Sequence, residues 1–108
     1  MLKRKFRLGA KKLSFSNSLN SHFFTIKIVL NSKDYNRFSF VVSKKIDKNA
    51  VERNRIKRIF HNCIQELYPE IKTGFDMLFL VRSTVKELAK EKIYEEIKES
   101  LKKGQYLK

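Results

Sequence analysis

One cysteine in 108 residues excludes an internal disulfide and leaves no thiol cluster to hold a metal. One proline and three glycines supply little material for flexible linkers, and no Gly-rich phosphate loop is present. Long hydrophobic runs are missing too. The longest, residues 77–81, is far too short to span a bilayer, and the basic start at residues 1–8 is followed by no apolar stretch of the kind a secretory signal needs. A cytoplasmic chain with no membrane contact is expected. Asp34, Asp47 and Asp76 are lone carboxylates in separate segments, and no serine, histidine and aspartate fall into a supported catalytic pattern. No catalytic residue, metal site or cofactor is therefore expected in the protein itself.

Acids are the scarcest charge: 11 Asp and Glu stand against 25 Lys and Arg, for a formal charge of +14. A field of that size favours an anionic partner, nucleic acid foremost. It is also lopsided. Residues 1–58 carry 16 cations and 3 acids, whereas residues 59–108 carry 9 and 8. The apolar content of 42%, with nine Phe, suits a folded chain of one domain. The expected division is a basic N-terminal arm at residues 1–21, ending in a polar loop at 14–21, and a single α+β domain at residues 22–108.

The segment that organises the chain is 49–67, NAVERNRIKRIFHNCIQEL. Ile56, Ile59, Phe60, Cys63, Ile64 and Leu67 recur with the period of a helix buried along one side. Arg53, Lys57, His61, Asn54 and Arg58 fill the adjoining arc, and Arg55 lies on the far flank. Like charges at i, i+4, as in Arg53 and Lys57, oppose helix formation by a few tenths of a kcal/mol. Their retention points to an anion that relieves the repulsion. Cys63, inside the apolar arc, reads as a small core residue, and Asn49 or Asp47 can cap the helix.

Upstream, residues 22–30 alternate, with Phe24, Ile26, Ile28 and Leu30 on one face and Phe23, Thr25, Lys27 and Val29 on the other. Residues 37–43 alternate again, with Phe38, Phe40 and Val42 inward and Ser39, Val41 and Ser43 outward. With the turn-rich 31–36 between them, the two read as an antiparallel hairpin. Lys44 and Lys45 follow. Residues 75–82, apolar on both faces, read as an interior strand. A turn at 83–88 then leads to a helix at about 90–103, ended by Gly104 and supported by Glu95–Lys98 and Glu99–Lys103 pairs. The β-β-α-β-α order predicts a two-layer α+β sandwich with helices on one face of a small sheet.

Two sets of residues carry a family resemblance: Arg37-Phe38-Ser39-Phe40-Val41-Val42-Ser43-Lys44-Lys45, and Asn49-Ala50-Val51-Glu52-Arg53-Asn54-Arg55-Ile56-Lys57-Arg58. In order and spacing they resemble the protein subunit of bacterial ribonuclease P, over about residues 20–103. The resemblance implies a ribosomal-protein-like fold with a left-handed β-α-β crossover. It also implies two partners, the catalytic RNA and the single-stranded 5′ leader of precursor tRNA, with no protein partner required. In such an endoribonuclease, RNA and magnesium carry the hydrolysis. RNA binding would fall to Lys44, Lys45, Arg53, Asn54, Arg55, Lys57, Arg58 and His61, and leader binding to Phe23, Thr25 and Lys27. This chain departs from the family in a shorter segment before the first strand, where Leu13 and Phe15 remain as cleft candidates. It has one extra residue and no Gly between Lys45 and Ala50, and His61 stands where an Arg is common. The rival readings are a ribosomal or ribosome-associated structural protein, and a major-groove DNA reader using Asn54 and Arg58.

Overall fold

The computed structural model describes residues 16–108. Four strands, β1 (Asn17–Asn20), β2 (Phe24–Leu30), β3 (Arg37–Val41) and β4 (Phe75–Val81), form one sheet, and two helices, α1 (Ala50–Leu67) and α2 (Lys90–Lys103), complete the domain. Short 3₁₀ turns at Tyr68–Glu70 and Ser83–Glu87 flank β4. The arm at residues 1–15, with Leu13 and Phe15, lies outside the described residues. Residues 17–20, expected in a loop, form the edge strand β1 instead, paired antiparallel with β2. Among the described residues no helix is long and apolar enough to cross a membrane.

The strand order is β1-β2-β4-β3. This corrects the expected hairpin: β2 and β3 do not pair, because β4 enters between them, antiparallel to β2 and parallel to β3. The physical reason lies in β4 and in the 31–36 connection. A strand apolar on both sides gains most in the centre, where both of its edges find hydrogen-bond partners. The connection is built to admit it. Buried Asn36 donates from its side chain to the Lys72 carbonyl (2.9 Å) and accepts from the Phe75 amide (2.8 Å), while the Asn31 amide donates to the Gly74 carbonyl (2.9 Å). Gly74 holds φ +99°, a conformation that favours glycine.

The alternation of each strand then builds one apolar floor from Phe24, Ile26 and Ile28, Phe38 and Phe40, and Met77, Phe79 and Val81. Helix α1 lays Ile56, Phe60, Cys63, Ile64 and Leu67 into this core, and α2 adds Ile93, Ile97 and Leu101. Phe24, Phe40, Phe60 and Phe79 meet ring to ring, with centroids 5.2–5.9 Å apart. The α+β class with helices on one face of a small open sheet is thus the observed one. Leu30 departs from its expected place on the buried face: at the end of β2 it is 71% exposed.

The end of α2 differs in mechanism. Gly104 closes the helix in right-handed geometry, φ −78°, and the left-handed position falls to Gln105 at φ 66°. A Cβ on Gly104 would lie 2.7 Å from a Leu19 methyl and 2.9 Å from the Tyr106 ring, so a larger residue there would make these side chains shift. The expected Glu95–Lys98 pair is not made. Lys92 pairs with Glu95 at 3.2 Å, and Lys98 reaches Glu70 at 3.8 Å.

Candidate nucleic-acid interface

Helix α1 starts at an Asn49 cap, whose side-chain oxygen accepts from the Val51 amide at 2.9 Å. Its apolar stripe is sealed in the core, so its polar side is fixed in direction. Along that side Asn54 and Arg58 are exposed, and Lys57 and His61 are half-buried. The His61 ring lies over Phe40, centroids 4.6 Å apart. Two cations of the expected stripe have other duties. Arg55 pairs with Glu52 at 3.0 Å on the far flank. Arg53 is half-buried and donates from Nη1 to the carbonyls of Asp47 and Lys48, both at 2.9 Å. At 3.6 residues per turn Arg53 falls between Phe60 and Ile64 on the wheel, at the margin of the packed arc. Its place on an unpacked arc is therefore corrected.

The approach to α1 is a tight turn. The Ile46 amide donates to the Ser43 carbonyl at 3.0 Å, and Ile46 is buried, which leaves Lys44 and Lys45 exposed at the tip. Asp47 accepts from the Asn49 amide (2.9 Å) and from Lys86 Nζ (3.2 Å). The Asn49 amide and the Lys86 ammonium hold the Asp47 carboxyl below its usual range. Cations thus run from residue 44 to residue 58, through a turn and into a helix.

The second surface is the open face of the sheet. Register places Ser18 and Asn20 of β1, Thr25 and Lys27 of β2, Leu78 and Leu80 of β4, and Ser39 and Val41 of β3 on it together. The residues expected from β2 and β3 are therefore separated by a row of leucines that sequence reading left out of the site. The signal was present in the apolar side chains on both faces of residues 75–82. Lys27 is exposed. Thr25 is engaged: it accepts from Arg82 Nη2 (2.9 Å) and donates to Asn20 Oδ1 (3.0 Å). Phe23, beside β2, is half-buried against the core, with its ring edge-on to His22 at 5.1 Å.

At one end of this face Asp76, 2% exposed, takes a bidentate grip from Arg37 and a bond from Asn31 at 2.9 Å. Burial pushes its pKa up, but the bonds from Arg37 and Asn31 outweigh it and hold the carboxyl below the usual range. Burial also drives the Cys63 thiol up to about 11, with Glu66 adding to the effect, so this sulfur is a neutral core group. No cluster of three or more His, Cys, Asp or Glu side chains able to hold a metal ion occurs among the described residues. Of the lone carboxylates, Asp47 and Asp76 are committed to cations and amides.

A family model described as Ribonuclease P matches residues 4–105. A ribonuclease P protein component of Thermoanaerobacter sp. (strain X514) is 39% identical over 77 residues, 71% of this chain and 66% of the relative, so the match spans just under two thirds of that relative's length. One from Caldanaerobacter subterraneus subsp. tengcongensis is 33% identical over 94 residues, 85% of this chain and 80% of the relative. Solved structures of the same fold include the RNase P protein from Thermotoga maritima, with TM-score 0.75, 26% identity and 81% and 82% of the two chains covered. The Staphylococcus aureus RNase P protein superposes with TM-score 0.76 at 26% identity, covering 85% and 84%. A match over nearly the whole length, joined to a shared open sheet with two helices, places this chain in the ribonuclease P protein family.

Proposed function

We infer that this chain is the RNA-binding protein subunit of ribonuclease P, acting in the cytoplasm in removal of the 5′ leader from precursor tRNA. The observation that carries the reading is the outward arc of α1. Asn54, Lys57 and Arg58 stand on a helix whose opposite side is locked into the core, so their heads are presented without a further folding step. With Lys44 and Lys45 they would neutralise phosphates of the catalytic RNA, releasing condensed counterions. The open face of the sheet would receive the leader. Leu78 and Leu80 offer apolar surface to bases, Lys27 offers charge to the backbone, and Thr25 is held in place by Arg82.

Arg53 and Arg55 contribute less direct charge than their spacing suggests, since each is engaged within the protein. The chemistry is assigned to the RNA and its magnesium. The role of the protein is to bring the phosphates of substrate and catalytic RNA together and so lower the magnesium requirement.

The test is binding to the catalytic RNA over a range of salt concentrations. Arg58→Ala and Lys57→Ala should each weaken binding, with an unchanged circular dichroism spectrum. Each should reduce the slope of log K against log salt by about 0.7–0.9. Unchanged slopes for both variants would remove the arc from the interface. Tighter binding to ribosomal RNA than to the catalytic RNA would instead support a structural ribosomal protein.

A further inference from the structure

Lys86 stands far from the basic stripe in sequence, in the 3₁₀ turn after β4, yet it reaches back to the turn that precedes α1. Its ammonium lies 3.2 Å from Asp47 Oδ2 and 3.3 Å from the Ile46 carbonyl. The other oxygen of Asp47 accepts from the Asn49 amide, and Arg53 holds the carbonyls of Asp47 and Lys48. Each of residues 46–49 therefore has a bond to something outside the RNA, and Ile46 is also anchored by burial. Lys44 and Lys45, immediately before, have exposed side chains.

We propose that Asp47 and Lys86 are positioning residues for RNA binding: they hold the Lys44–Lys45 turn against the start of α1, so that both groups of cations meet one RNA surface already in place. This rests on the reading of residues 44–58 as the RNA interface. The physical gain is preorganisation. A loose turn would have to be ordered at the moment of binding, whereas a tied one has lost that freedom on folding. The tie also sets a charge pattern. Lys86 is neutralised by Asp47 and adds no counterion release of its own, so an acid inside a basic surface strengthens binding.

That consequence gives a test with opposite signs. Asp47→Asn raises the formal charge from +14 to +15, since one acid is lost, and simple electrostatics then calls for tighter RNA binding. The tie requires the reverse, a weakening of about three- to tenfold. Lys86→Gln should weaken binding by a similar factor and leave the salt slope unchanged, while Lys86→Arg should retain affinity. Lys44→Gln should lower the slope by about 0.7–0.9. In the free protein, amide hydrogen exchange at Ile46 and Asn49 should quicken in Asp47→Asn and Lys86→Gln, with the exchange of α2 unaltered.

Asp47→Asn binding as tightly as wild type or tighter, while wild type binds the catalytic RNA selectively, would overturn the tie alone. Lys86→Gln lowering the slope as Lys44→Gln does would make Lys86 a phosphate contact and also overturn it. If wild type bound the catalytic RNA no better than mixed-sequence RNA, the interface reading would fail and the positioning role with it.

Discussion

The two faces of the sheet share one backbone and differ in every other respect. On β2, Phe24, Ile26 and Ile28 are at most 1% exposed beneath the helices, while Thr25, Lys27 and Val29, one residue out of phase, remain partly or wholly open. On β2, β3 and β4 the covered face is built of phenylalanine, isoleucine, methionine and valine. The open face mixes leucine, valine, serine, asparagine, threonine and lysine. A sheet that only had to fold would need the first face and could leave the second uniformly polar. The half-buried leucines at 78 and 80 are the apolar part of the face proposed above to receive the leader.

The contrast breaks most sharply in the core. Phe60→Ala removes the ring that meets Phe24, Phe40 and Phe79 and should destabilise the fold by about 3–5 kcal/mol, measured by the denaturant midpoint. Leu80→Ala, on half-buried ground opposite, should lose only about 1 kcal/mol. Equal losses would mean that the two faces are not functionally divided.

Next comes the charged end of the open face. Arg37→Ala leaves the buried Asp76 carboxylate without its guanidinium and should cost about 3 kcal/mol at neutral pH. Because the folded carboxyl titrates below its ordinary value of 3.8, its contribution is present above that pH. It is lost as pH falls through the depressed folded value. Acid unfolding of wild type should therefore steepen below about pH 4, and Asp76→Asn should flatten that limb. An identical acid limb in the variant would show that the pair is not coupled to folding.

The smallest effect sharpens the functional side. Lys27→Ala should leave stability within about 0.5 kcal/mol of wild type. It should weaken binding of precursor tRNA carrying a leader of several nucleotides by about two- to fivefold, and leave a one-nucleotide leader unaffected. Equal weakening of both would place Lys27 against some other part of the RNA.

Local pattern was enough for much of the fold. The period of residues 49–67 placed α1 to within one residue, and the stripe from Ile56 to Leu67 is the stripe that packs. Strand alternation identified Phe24, Ile26, Ile28, Phe38 and Phe40 as core. Pairing was not legible. Residues 24–30 and 37–41 look like a hairpin because they are neighbours in sequence, and alternation carries no information about which strand lies alongside which. The same limit applies to the site. Arg58 is exposed and Lys57 half-buried where helical spacing put them, whereas Arg53 is drawn to two carbonyls that its own helix wheel cannot show.

By itself the sequence determined the charge, the amphipathic helix, the core face of β2 and β3 and the family. These follow from composition, from side-chain period and from residue order, all of which are local. Only the tertiary structure decided that β4 lies between β2 and β3, that Leu78 and Leu80 therefore stand among Thr25, Lys27 and Ser39, and that Lys86 reaches Asp47. Such juxtapositions join residues about forty to fifty positions apart, and the balance of burial and hydrogen bonding that selects them is settled only when the whole chain packs.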